Sequence, residues 1–179
     1  MESADSLGRR AIAGEMDQAR QAFHRMLDQA TDTSLRRRSN GTKWTNEQLL
    51  FHMLFGYLIT RALLVLVRIF GRLPDGASKA FARLLDAAHR PFHLINYLGS
   101  CAGARIIPCS HMRDRLDRVI AALERSLATE HDAALQRGMH YPTTWDPFFT
   151  DYMTLADLYR YPTQHFNYHR EQLTLTNTG

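Results

Sequence analysis

Two histidines four residues apart, in Gln164-His165-Phe166-Asn167-Tyr168-His169, are the side chains of this sequence best spaced for metal chemistry. Residues four apart on a helix lie one above the other, so both imidazoles can turn a nitrogen to the same ion. Two ligands do not make a site. A catalytic metal commonly takes three protein ligands and keeps a position for water or substrate, and in a helical bundle the third comes from a facing helix. His52 is the candidate, because it shares a helical stripe with Leu49, Phe55, Ile59, Leu63 and Leu66 and so points with the core side chains. Spacing leaves plainer readings open. His165 and His169 suit a pair of surface or capping histidines equally well, and a lone histidine in an apolar stripe is more often a core side chain bonded to a backbone carbonyl.

Other groups compete less well. His89-Arg90-Pro91-Phe92-His93 has the same separation, but Pro91 either kinks a helix or marks its first turn, so the two rings need not share a face. Cys109 with His111 is half of a zinc site without a second pair at finger-like spacing, and reads as a loop cysteine beside a helix-start histidine. His24, His131 and His140 read as exposed or helix-lining residues. No acid stands out as a general base, since Glu47 is over a turn from His52 and Glu171 is rotated off the face of the terminal pair. Tyr168 and Gln172 lie near enough to orient a ligand, yet an ordinary helix surface is the preferred reading and leaves them outside the site.

The elements that must position these residues are helical. Ile12, Met16, Ala19, Phe23, Met26 and Leu27 form one face of a first helix. Thr45 with Gln48 makes a capping box that opens a second helix carrying His52. After the turn at Pro74-Asp75-Gly76, a further helical stretch starts near Lys79 and is disturbed by Pro91, and Gly99 to Ser110 reads as a helix end or connection. Met112, Leu116, Val119, Ile120, Leu123 and Leu127 mark a third bundle helix that stops at Gly138. An aromatic, proline-bearing loop from Tyr141 to Phe149 leads to Thr154 and Asp157, a second capping pair that opens the last helix, which Pro162 should kink or restart. No run alternates as a β-strand would. The expected fold is all-α: an antiparallel four-helix bundle with an extra helical insertion after helix two, in a single domain over residues 1–179.

Composition bounds the rest. With 45% hydrophobic residues, nine phenylalanines and seven tyrosines, a chain of 179 residues belongs to a folded globular protein with one sizeable core. The polar segment Met1 to Arg20 lacks the apolar core of a signal peptide, and two cysteines are too few for a disulfide framework, so a cytoplasmic protein is expected. The apolar stretch Leu49 to Phe70 is interrupted by His52, Arg61 and Arg68, which are costly in lipid, and reads as a buried helix with no membrane partner. A net charge of +4 favours anionic partners without selecting one. Arg36-Arg37-Arg38 reads as a solvated connector, because no nucleic-acid recognition signature accompanies it.

Gly41-Thr42-Lys43-Trp44-Thr45 leading to Leu50-Phe51-His52, and Thr154-Leu155-Ala156-Asp157-Leu158 leading to His165-Phe166-Asn167-Tyr168-His169, resemble the DinB-like superfamily of metalloenzymes. In that family a tryptophan-containing turn precedes a helix bearing the first metal histidine, and the last helix supplies two more at a spacing of four. The resemblance runs from about helix one to Leu173, and the stretch Lys79 to Pro108 departs from it by its length. It implies a divalent ion, zinc, nickel or iron, held by His52, His165 and His169 with an open position for water or substrate. Several related proteins are transferases or isomerases that use low-molecular-weight thiols. A small-molecule substrate, including such a thiol, is therefore the expected partner, and a homodimer is an assembly open to the chain. An ion among three neutral histidines keeps its double positive charge and favours an anionic fourth ligand, which agrees with thiol transfer and equally with hydrolysis. The rival from another class is a metal-stabilised sensor or interaction module. It predicts a closed site with a fourth protein ligand such as His24 and no pocket reaching the metal.

Overall fold

The computed structural model describes residues 4–175; the chain ends that complete the 1–179 span lie outside the described residues. In chain order the helices are α1 (Ala4–Gln29), α2 (Asp32–Arg36), α3 (Asn46–Phe70), α4 (Asp75–Ala87), α5 (His89–Ile106), α6 (Cys109–Thr129), α7 (Asp132–Leu135) and α8 (Leu155–Arg170), with two short strands, β1 (Gly138–His140) and β2 (Tyr152–Thr154), between α7 and α8. The fold is all-α. Helices α1 and α3 each pack on both α6 and α8, which closes a four-helix ring, while α5 lies against α3 outside that ring and α4 packs on β1.

Both expected capping boxes form. Thr45 accepts from the Gln48 amide and Gln48 returns to the Thr45 amide, and Thr154 and Asp157 do the same for α8. Each box satisfies two backbone donors that a helix start would leave without partners. The core is built from the stripes of α1 and α6, including Ile12, Met16, Phe23, Met112, Leu116 and Ile120, all buried. From α3 it takes Leu50, Met53, Leu54, Tyr57, Leu64 and Val67. The stripe that carries His52 behaves differently: Phe55, Ile59, Leu63 and Leu66 are only half-buried and line a cavity.

Four sequence expectations are corrected. A strand pair exists: β1 and β2 run antiparallel with Met139 opposite Met153, and three residues are too short to display an alternating pattern. The helix expected to stop at Gly138 ends at Thr129, with the short α7 between them, while the Gly99 to Ser110 region is a helix end as read, α5 continuing through Gly99 and Gly103 to Ile106 with Gly103 lying against the Phe51 ring. Pro162 does not restart the last helix, which is continuous from Leu155 to Arg170. The insertion begins earlier than Lys79, at Asp75, and Pro91 falls in the first turn of α5, where its missing N–H leaves no bond unmade.

Helix α3 is long and apolar enough to cross a membrane by length and composition. It is nevertheless the central helix of the bundle, packed on by α5, α6 and α8 and burying Asn46, His52 and Thr60. Arg68, near its end, is held by Glu130 and by the Ser126 and Tyr159 hydroxyls.

The start of α3 is tied to the rest of the chain by Asn46, which is fully buried. Its Nδ2 donates to the Ser34 carbonyl at 2.8 Å and to Thr174 Oγ1 at 3.0 Å, and its Oδ1 accepts from the Thr174 amide at 3.1 Å. Asn46→Ala would leave the Ser34 carbonyl and the Thr174 amide without these partners. It is expected to cost about 1–3 kcal/mol, read from urea unfolding midpoints at an unchanged slope.

Candidate metal centre

Helix α3 and helix α8 pack side by side, and their shared face brings the three histidines together. His52 and His165 are buried and His169 is half-buried. One ring nitrogen from each lies within 4.8 Å of the other two, and His165 Nε2 is 3.1 Å from His52 Nε2. Nitrogens bound at about 2.1 Å to one zinc ion stand roughly 3–4 Å apart, so the set fits an ion with small shifts.

Neighbouring groups fix which nitrogen faces the centre. Ser100 Oγ on α5 donates to the Asn96 carbonyl at 2.9 Å, so it accepts from His52 Nδ1–H at 3.1 Å and leaves the Nε2 lone pair free. Gln172 Oε1 accepts from His169 Nδ1–H at 2.7 Å in the same way. Trp44 stacks on the His52 ring at 4.4 Å and holds its plane. The turn that delivers Trp44 passes through Gly41 at a φ of 69°, a backbone region that favours glycine. It is secured by the Ser39 amide on the Trp44 carbonyl and by the Asn40 amide on the Gln172 carbonyl. His165 fits only because residue 56 is glycine, where a Cβ would lie 2.7 Å from Nδ1. That Nδ1 is buried without a hydrogen-bond partner. A buried nitrogen without a partner, together with imidazole nitrogens that converge on one point, is a donor set that fits a cation.

Electrostatics keep the set ready for one. Burial, and then proximity to His169, pushes the His52 pKa down to about 3. Burial also holds His165 well below its usual value, with His52 and His169 adding to the shift, and lowers His169 against the opposing pull of Gln172 and Asp146. All three are neutral at neutral pH, so an ion would not compete with protons for them.

Asp146 is one residue that sequence reasoning missed. Its Oδ2 lies 3.9 Å from His165 Nε2 and accepts from the Tyr161 hydroxyl at 3.0 Å. Burial raises the Asp146 pKa, opposed by the Phe148 amide, the Tyr161 hydroxyl and His169. Its loop is pinned where Trp145 Nε1 donates to the Leu85 carbonyl at 2.9 Å and Thr144 Oγ1 donates to Asp86 at 2.7 Å. The signal in the sequence was the loop itself, long and rich in aromatic residues, a type that frequently carries function. Gln172 and Ser100 also belong here. Gln172 was placed on an ordinary helix surface from sequence and in fact orients His169, whereas Tyr168 is an exposed ring beside it.

The competing histidines lie elsewhere. His24 is engaged by Asp117 at 2.8 Å, His140 by Asp151 at 3.1 Å, and His89 by the Asp86 carbonyl at 3.1 Å. His89 and His93 do turn their rings toward each other, with centroids 6.4 Å apart, but they are not part of the three-histidine group.

A single ion shared by the three rings gives a direct test. Natively purified protein is expected to hold close to one equivalent of divalent metal by elemental analysis, and His52→Ala, His165→Ala and His169→Ala each to lose it. Ser100→Ala is expected to weaken metal affinity by roughly 10–100-fold without abolishing it. A variant with full metal content removes its histidine from the ligand set.

The lowered histidine pKa values also set a pH dependence. The unfolded chain takes up protons on these rings below the ordinary value of 6.5, while folded His52 stays neutral down to about 3. The unfolded state therefore binds more protons in that window, and stability falls as pH falls through it. Thermal melts of metal-free protein are expected to show Tm dropping from about pH 7 to about pH 4, and dropping less steeply in His52→Leu. Parallel profiles for the two proteins would count against the burial of a neutral His52.

No curated protein and no solved structure matches the chain. The DinB superfamily profile matches residues 15–173, a span that includes all three histidines, the Trp44 turn and the Asp146 loop. By that match over most of its length, the chain belongs to the DinB superfamily.

Proposed function

We propose that this protein is a divalent-metal-dependent enzyme that acts on a small molecule, as a thiol-dependent transferase or isomerase, with His52, His165 and His169 as metal ligands. The observation that carries the proposal is a cavity of about 280 Å³ that reaches His52 and His165 between α3, the α4–α5 insertion and the aromatic loop. A closed structural site would have no use for such an approach, and His24, one fourth ligand that reading offered, is engaged by Asp117. Membership of the DinB superfamily supports the metal, since proteins of this family are metal-associated.

An ion bound by the three imidazoles supplies Lewis-acid chemistry, making a bound thiol or water more acidic. The chain's own residues do the rest. Ser100 and Gln172 hold two rings with their Nε2 lone pairs inward. Asp146 presents Oδ2 beside the triad, where it can accept a proton from a thiol or water arriving there, and the Tyr161 hydroxyl keeps that oxygen in place. Aromatic and aliphatic side chains make up most of the cavity wall beside these groups.

Metal-loaded protein assayed with small electrophiles and a panel of cellular thiols is expected to turn over at least one pair. Asp146→Asn is expected to lower that rate by roughly 10²–10⁴-fold with metal content unchanged. Absence of turnover with every thiol shifts the assignment to a non-catalytic metal-binding module, and unchanged turnover in Asp146→Asn removes the proton acceptor.

A further inference from the structure

The cavity beside the triad is unusual in its chemistry for a protein of net charge +4. Among the described residues that line it there is no lysine or arginine, although the chain holds 22 of them. Its polar lining residues are His52, His165, Asp146 and Asn96. These gather at one end, because Asp146 lies against His165 and Asn96 sits one turn along α5 from Ser100, the partner of His52.

Away from that end the walls are hydrocarbon and aromatic faces. On α3 the lining residues recur as Phe55, Ile59, Leu63 and Leu66, one continuous helical stripe. Opposite them Phe92 of α5 stacks on Trp145 at 3.8 Å with an interplanar angle of 13°, which fixes both rings as a rigid wall. The polar tips of the aromatic residues are spent on the protein: Trp145 Nε1 on the Leu85 carbonyl, Tyr141 Oη on the Leu63 carbonyl at 3.5 Å, and Tyr161 Oη on Asp146. The ligand therefore meets ring faces and methyl groups there, with no donor left to bind a charged or strongly hydrated group. Burying an anion against such a surface is heavily unfavourable. Apolar burial and ring packing are favourable.

We infer that the site takes an uncharged aromatic substrate of about two fused rings, its ring body held between the α3 stripe and the Phe92–Trp145 wall and its reacting polar group turned to the triad. The size follows from the volume. A dry protein cavity of about 150 Å³ holds benzene, and this one, at about 280 Å³, is nearly twice as large. The assignment rests on the metal-enzyme reading only for the reaction at the polar end; the binding of the ring body is a property of the cavity. It also divides the two substrates of a thiol transfer. A thiol bearing carboxylates keeps its charged part outside this cavity, and the aromatic electrophile occupies it.

Isothermal titration of the zinc-loaded protein with 1-naphthol and with naphthalene-2,6-disulfonate tests the inference, with zinc content measured on the same samples. Naphthol is expected to bind, and the disulfonate to bind at least about 30-fold more weakly, because one sulfonate would have to sit among the apolar walls. Ile59→Trp, which fills the middle of the stripe, is expected to weaken naphthol binding by at least about tenfold while zinc stays at about one equivalent. Should that variant fail to fold, nuclear Overhauser contacts between naphthol ring protons and the Ile59 and Leu63 methyls in the unsubstituted protein locate the ligand instead. Equal affinity for the disulfonate, naphthol affinity unchanged in Ile59→Trp, or contacts only to other surfaces would each overturn the inference. Naphthol binding by protein that retains no zinc overturns the metal reading and leaves the cavity assignment standing. Full zinc with no naphthol binding does the reverse.

Discussion

Two imidazole nitrogens 3.1 Å apart in the dry interior of a helical bundle are the constraint on which the rest of this structure depends. Protonating either ring there is opposed by burial and by its neighbours, so both stay neutral. Holding them in place takes the surrounding protein. Gly56 makes room for His165, Trp44 covers one face of His52, and Ser100 and Gln172 fix the hydrogen on the outward nitrogens. Each of these residues comes from a different part of the chain, and the network around Asn46 ties the start of α3 to Ser34 and to Thr174 beyond the end of α8.

The insertion of α4 and α5 gains a purpose in this frame. A bare four-helix ring would leave the cavity-facing stripe of α3 against solvent. Helix α5 lies along α3, supplies Ser100 to His52, and contributes Phe92 to the cavity wall. Helix α4 supplies Phe81 and Leu85 to the same cavity and, through the Leu85 carbonyl and Asp86, anchors the loop that carries Trp145 and Asp146. The small β-pair has a related role, because it closes the base of that loop with the Tyr141 amide on the Asp151 carbonyl. The extra elements thus convert a buried histidine cluster into a cluster with an approach.

The approach and the cluster differ sharply in polarity. At the triad the groups are nitrogen donors and one carboxylate; a helical turn away they are phenyl, indole and aliphatic. Such a division orients a ligand by its own two ends, since an apolar body gains from leaving water while a polar group is costly to place away from hydrogen-bonding partners. The mildly basic surface acts at longer range and is screened over about 8–10 Å in physiological salt, so it contributes little inside the cavity.

The all-α fold, the starts of α3 and α8, and the three histidines were legible in the sequence because each is written locally. Capping boxes depend on residues three apart, helical faces on spacings of three and four, and the terminal histidine pair on a single turn. His52 became more than a core side chain only through the family resemblance that the Trp44 turn and the terminal pair carry together. Beyond the histidine set, what the sequence left undecided was the contacts between segments distant along the chain. Ser100 and Asp146 are unremarkable in their own neighbourhoods, and Gln172 looks like surface; they matter because packing sets them beside His52, His165 and His169. The stripe of Phe55, Ile59, Leu63 and Leu66 shows the limit most clearly. Helical periodicity established that these side chains share a face, but whether that face meets a close-packed neighbour or an open cavity depends on how far away α4, α5 and the aromatic loop come to rest, and that is decided only in the tertiary structure.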